Sequence, residues 1–215
     1  MKKIELVEMI ADYLQGGDAP IEVKGKYHPA ILEKWVESVY NELIFQTASG
    51  ALDPKNDQTD FSQLDTFASM YRDIDVLNDT DRSLKYSVLP FPPVKLPEDL
   101  GIRMVCPNDD MENPFAHVDN TSQPIFAALE VGTVDTVPIF WIEKQSDYTY
   151  RIYFKNSGTV AKVAMLLIVP LSQYDDFDEV PMPAGKDKLV LDMVIDALMR
   201  KPQPDNINDN VIEQQ

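Results

Sequence analysis

Apolar residues recur at three- and four-residue steps at both ends of this chain, and at shorter, strand-like spacing in its middle. Over residues 4–14, Leu6, Val7, Ile10, Tyr13 and Leu14 mark one face of a first helix. Gly16 and Gly17 follow, and glycine tolerates the left-handed conformation that closes a helix. A second helix begins at Pro29, a residue suited to a first turn. Its apolar face is broad: Ile31, Leu32, Trp35, Val36, Val39, Tyr40, Leu43 and Ile44. Glu33, Lys34, Glu37 and Glu42 take the other side. The two read as a helical pair joined by residues 16–28. Residues 50–60, with Pro54, Asn56 and Asp57, read as a loop.

Residues 61–77 carry two patterns at once. Phe67, Met70, Ile74 and Leu77 suit a helix, whereas Tyr71, Asp73 and Asp75 set against Ile74 and Val76 suit a strand. The expectation is a short helix or turn, then a strand over 74–77. From Tyr86 onwards prolines crowd in, and β-branched and aromatic runs lie between them. These runs cover 94–96, 102–106, 115–118, 126–131, 139–143, 148–154 and 160–169. Gln145, Ser146 and Asp147 sit between two aromatic-rich runs and predict a hairpin. Tyr148, Tyr150, Ile152 and Phe154 alternate with Thr149, Arg151 and Tyr153, which predicts a strand buried on one face. The run 160–169 is nearly continuous and predicts a central strand covered on both sides. Many short strands suggest a small sandwich or barrel. Helical spacing returns at Leu189, Val190, Met193, Val194, Ala197 and Leu198, and Lys201-Pro202 stops it.

The expected fold class is therefore α+β. An N-terminal helical pair and a C-terminal helix pack together, with a small antiparallel β-sandwich or barrel inserted between them. The expected divisions are 1–60 for the pair and its loop, 61–180 for the β-rich part, 181–202 for the last helix and 203–215 for an extended tail. In the tail only Ile207, Val211 and Ile212 are apolar, so it is expected to gain order by contact rather than alone.

Composition narrows the chemistry. The 215 residues suit one domain with a small appendage and can bury a core without staples. The formal charge is 19 − 36 = −17, which disfavours phosphate binding and anionic membranes. A single cysteine, Cys106, excludes an internal disulfide and a cysteine-rich zinc site. Glu5, Glu8 and Asp12 interrupt any signal-peptide core, and the longest apolar stretch, 163–171, is broken by Pro170. A soluble protein kept in a cell, or packaged into something made there, is expected.

Candidate chemistry is sparse. Cys106 and His117 are the residue types of a thiol–imidazole pair, but nothing around Cys106-Pro107 marks an activated nucleophile. The plainer reading is a small strand residue and a lone loop histidine. His28, before Pro29, is expected to help form the helix start. Asp73, Asp75, Asp79 and Asp81 cluster, as do Asp109-Asp110 and Asp175, Asp176, Asp178 and Glu179. The stretch 73–79 lacks the glycine of a calcium loop and places apolar residues inside it, so solvated acidic loops are the expectation. No phosphate-cradling, dinucleotide, nucleophile-elbow or zinc-protease motif occurs. A carboxylate pair for glycoside chemistry has no local signature and stays open. Trp141, Tyr148, Tyr150 and Tyr153 suit either a sugar-stacking face or the core of the hairpin.

An ordered set of short segments adds a resemblance. It runs through Val39-Tyr40-Asn41-Glu42-Leu43-Ile44, then Arg82, Tyr86 and Leu89-Pro90, then Val94-Lys95-Leu96-Pro97 and Gly101-Ile102-Arg103. It continues through Ile168-Val169-Pro170-Leu171 and Val180-Pro181-Met182-Pro183 to Lys201-Pro202, Asp205 and Asn208-Asp209. In this order the chain resembles the head-to-tail connector (adaptor or ring) proteins of short-tailed, crAss-like bacteriophages. The resemblance implies a structural virion protein that forms a ring, usually of twelve copies, between portal and tail. It implies no active site, no cofactor, no metal and no membrane. The implied partners are further copies, the portal and other ring or tail proteins, with DNA passing through the channel without specific binding. The implied location is the portal vertex, after assembly in the host cytoplasm. Ile207, Val211 and Ile212 become candidates for inter-subunit contact, and the negative charge suits a channel wall that repels phosphate. Two other classes compete: a monomeric β-sandwich module binding carbohydrate through Trp141 and the tyrosines, and a hydrolase using carboxylates or a bound cation.

Overall fold

The computed structural model describes residues 1–15, 28–52, 61–119, 137–146 and 149–199. Two helices open the chain, α1 (Lys3–Gln15) and α2 (Pro29–Ala51), and a single turn, α3, follows at Ser62–Asp65. Pro29 opens α2 as expected, and the His28 Nδ1 accepts from the Ala30 N–H at 3.2 Å, satisfying one of the free donors of the first turn. A last helix, α4, spans Lys186–Met199. Helices α1, α2 and α4 pack on one another. Leu6, Ile10, Leu32, Val36, Tyr40, Val190 and Val194 are buried there. The Tyr40 hydroxyl donates to the Pro181 carbonyl at 2.8 Å, tying α2 to the approach to α4.

The strands are β1 (Ser69–Asp75), β2 (Leu77–Asp79), β3 (Leu84–Val88), β4 (Ile102–Pro107), β5 (Ala116–His117), β6 (Ile139–Lys144), β7 (Tyr150–Lys155) and β8 (Lys162–Leu167). They form two sheets, with orders β1-β8-β4 and β2-β3-β7-β6-β5. Strand β8 is central, as its apolar run predicts, and Val163, Ala164, Met165 and Leu167 are fully buried. Strands β6 and β7 form the expected antiparallel pair, with Trp141 opposite Tyr153 and Ile142 opposite Ile152. The chain is thus mixed α+β, with helices at both ends and sheets between.

Several expectations need correction. The pairing is not wholly antiparallel, because β5 runs parallel to β6. The strand expected over 74–77 starts earlier, at Ser69. Its alternation is broken by a register shift between Tyr71 and Ile74, where Asp73 takes φ +58°. Strands β2 and β3 were not expected: β2 has three residues, and the alternation of Leu84, Tyr86 and Val88 with Lys85 and Ser87 runs over five residues only. Residues 94–96 are extended but join no sheet, although the Val94 N–H donates to the Ile168 carbonyl at 2.8 Å. Strand β7 buries both faces near its end, because Ile152, Tyr153 and Phe154 are all inside. Ile31, Trp35 and Tyr13, counted on apolar faces, stay exposed. The run 126–131, Tyr148, the Gly16-Gly17 stop and the Lys201-Pro202 stop lie outside the described residues.

The start of the chain is pinned to an acidic segment. Lys2 and Glu179 form an isolated antiparallel backbone β-bridge, the Ile4 N–H donates to the Asp176 carbonyl at 2.9 Å, and the Val180 N–H donates to the Met1 carbonyl at 3.0 Å. These backbone bonds supply partners for first-turn donors of α1. Lys3 is buried between Glu33 of α2 and Asp176, and its ammonium also donates to the Tyr174 carbonyl at 3.2 Å.

Candidate functional site

The candidate chemical groups do not converge. Cys106 is buried in β4, its thiol 3.7 Å from the Ala164 carbonyl, and burial pushes the thiol up from its ordinary value. A thiol held protonated is a poor nucleophile. His117, on β5, instead lies 3.7 Å from an Asp99 carboxylate oxygen, with its ring 5.0 Å from that of Phe140. Burial lowers the His117 pKa, while Asp99 and Asp119 pull it back.

The acidic clusters have structural partners. Asp79 Oδ1 accepts from the Asp81 and Arg82 N–H groups and shapes that turn. Asp73 accepts from the Asn108 side chain and bridges to Lys162. Asp175, Asp176 and Asp178 build the segment that receives the N-terminus. Among the described residues no group of three or more His, Cys, Asp or Glu is placed to hold a metal ion.

The aromatic candidates form a row across the second sheet. The rings of Trp141 and Tyr153 stack with centroids 5.9 Å apart and planes 17° apart, and Tyr86 lies 5.8 Å beyond. Arg82 sits 5.0 Å over Tyr153, and Arg151 4.7 Å over Tyr86. Arg82 pairs with both oxygens of Glu143, at 2.7 and 2.9 Å, and the Trp141 N–H donates to the same carboxylate. The Tyr153 hydroxyl donates to Asp79 at 3.3 Å. Trp141 is 2% exposed and Tyr153 1%. A sugar platform needs open ring faces, and this row has none at its centre. Of the four aromatics, Tyr150 is half-buried and lines a cleft, and Tyr148 lies outside the described residues.

What the surface does offer is apolar area on α2. Ile31, Trp35 and Phe45 are 42%, 38% and 48% exposed. With Ser38 and Glu42 they fall at positions 31, 35, 38, 42 and 45, steps of four and three that trace one helical stripe. The stripe runs into a cleft of about 540 Å³ between α2 and residues 92–96, lined by Asn41, Glu42, Phe45, Pro93, Lys95 and Tyr150. A second cavity, of about 320 Å³, lies beyond the same extended segment and is lined by Asp99, Gly101 and Ile142. Gly101 lets that segment lie close, since a Cβ there would stand 2.3 Å from the Val94 carbonyl oxygen. Asn41 adds an unmet group: its Oδ1 is shielded from solvent and has no hydrogen-bond partner among the described residues. Phe177, in the acidic segment, is 73% exposed.

The cleft was missed from sequence. The signal was present in the return of Phe45 to the register of Ile31 and Trp35, but the richer face of α2 masked it. Ile207, Val211 and Ile212 lie outside the described residues, so the structure does not place them. No protein-family model matches the chain, and comparison with curated proteins gives no match.

Proposed function

We infer that the chain is a structural virion protein forming a ring in the portal–tail connector of a tailed bacteriophage. The observation that carries this reading is the exposed apolar stripe of Ile31, Trp35 and Phe45 on a chain of charge −17. An acidic subunit with large apolar side chains along one helix suits contact with neighbouring subunits rather than solvent. The ordered resemblance of segments named above supplies the particular assembly. In it, copies form a ring of about twelve around a DNA channel and contact the portal and other ring or tail proteins. The acidic surface limits adhesion of DNA to the wall.

In this reading the two sheets face each other as a small β-sandwich between the helical pair and α4. Buried residues of both sheets, Val105, Val163 and Met165 with Phe140, Ile152 and Phe154, belong to one core cluster, which supports that arrangement. No helix among the described residues is long and apolar enough to cross a membrane. The test is electron microscopy of the assembly that co-purifies with the chain from its natural source. Rotationally symmetric rings stacked on other rings are expected, and a lone monomer in native material overturns the reading.

A further inference from the structure

We propose that the cleft between α2 and residues 92–96 is the docking groove for residues 203–215 of a second copy of this chain. The proposal rests on the ring reading above and names the surface that the C-terminal segment meets. Four features match groove and segment. First, Phe45, Pro92, Pro93 and Val94 give the cleft apolar walls, and at about 540 Å³ it falls in the size range of ligand clefts. The segment carries Ile207, Val211 and Ile212 as apolar anchors.

Second, Asn41 lines the cleft with an acceptor that lacks a partner among the described residues. A shielded, unpaired acceptor is unfavourable, and a turn of the amide toward an arriving N–H relieves it. The segment is rich in such donors, with Asn206, Asn208, Asn210, Gln214 and Gln215 besides its backbone. Third, the segment holds Asp205, Asp209 and Glu213 and no basic residue, which complements Lys95 in the cleft wall. Glu42, also in the wall, can accept from the side-chain amides.

Fourth, the reach suffices. Helix α4 packs on α2 and ends at Met199. The twelve residues from there to Val211 span up to about 40 Å when extended, against a radius of gyration of about 17 Å for a compact chain of this length. The segment can therefore leave its own subunit. A groove on one subunit filled by the segment of the next is a heterologous contact, the kind that repeats around a ring until it closes.

The test uses the full-length chain with Phe45→Cys and Val211→Cys together, oxidised at about 1 mM chain, the range of tethered effective concentrations. Cys106 is buried and does not compete. Non-reducing electrophoresis is expected to show a ladder of disulfide-linked multimers, while each single variant stops at the dimer. An internal disulfide within one chain places the segment in its own groove and overturns the proposal, and so does the absence of any disulfide. Trp35→Cys with Ile207→Cys serves as a second pair if circular dichroism shows the first misfolded. Rings in the microscope without a ladder would discard the groove and leave the connector reading. A ladder without rings would do the reverse.

Discussion

At the scale of single residues, the fold depends on close approaches that side-chain pattern does not announce. Gly101 is one. Its missing side chain lets the 92–96 segment lie against the start of β4, and the obstacle to any substitution is the Val94 backbone oxygen. Backbone cannot step aside as a flexible side chain can. Gly101→Ala is therefore expected to destabilise by about 3 kcal/mol, the scale of overpacking, in urea denaturation, and to alter the cleft as well. A variant as stable as the parent would show that the segment moves freely. His28 was legible from sequence because it stands directly before a helix-opening proline, and its ring caps α2. The sequence offered the hairpin core as one place for Tyr153, but not how that burial is made. It depends on Arg82, Asp79, Tyr86 and Trp141 meeting across strands far apart in sequence.

At the scale of elements, helices were easier to read than strands, and the reason is length. The buried face of α2 repeats from Leu32 to Ala48, roughly four to five turns, so its existence did not depend on any one residue. Strands β2 and β5 have three and two residues, too few for a period to emerge. Strand β1 has enough residues, but its bulge at Asp73 breaks the alternation that would have revealed it. Long-range joints are equally hidden. Lys3 links α1 to Glu33 of α2 and to Asp176, although its neighbours in sequence suggest a solvated lysine. Burial alone would lower its pKa, but Glu33 and then Asp176 reverse this and leave it raised above the ordinary 10.5. Lys3→Met is expected to cost about 2 kcal/mol at pH 7, the scale of hydrogen bonds to charged groups. The sign with pH follows from the raised value. The folded state holds this proton more tightly than the unfolded chain, so the stabilisation is full below about 10.5 and fades as pH rises through the folded value. Chemical denaturation of both proteins at pH 7 and pH 11.5 should show the gap narrowing. A gap that stays constant would assign the loss to packing instead of charge.

At the scale of the whole molecule, the sequence indicated helices at both ends with sheets between, and the fold has that order. It did not indicate which apolar residues the core would leave uncovered, because the face of α2 that meets α1 and α4 absorbs the pattern. Ile31, Trp35 and Phe45 emerge only once that packing is known. This bears on residues 203–215. The described core draws on α1, α2, α4 and both sheets, all before residue 200. Deleting 203–215 is then expected to shift the midpoint of thermal unfolding by less than about 1 °C, below the roughly 2–4 °C that a 1 kcal/mol loss produces in a chain of this size. In the proposed groove contact, the same deletion removes three aliphatic anchors, Ile207, Val211 and Ile212. Each buried anchor contributes about 1.5 kcal/mol or more, so even one poorly seated anchor implies at least about tenfold weaker assembly. Scanning calorimetry and the ring yield in micrographs measure the two effects separately. A truncated chain that unfolds would assign the segment to its own subunit's core. A truncated chain that is stable and assembles undiminished would move the subunit contacts elsewhere, with Phe177 in its acidic segment the first residue to examine.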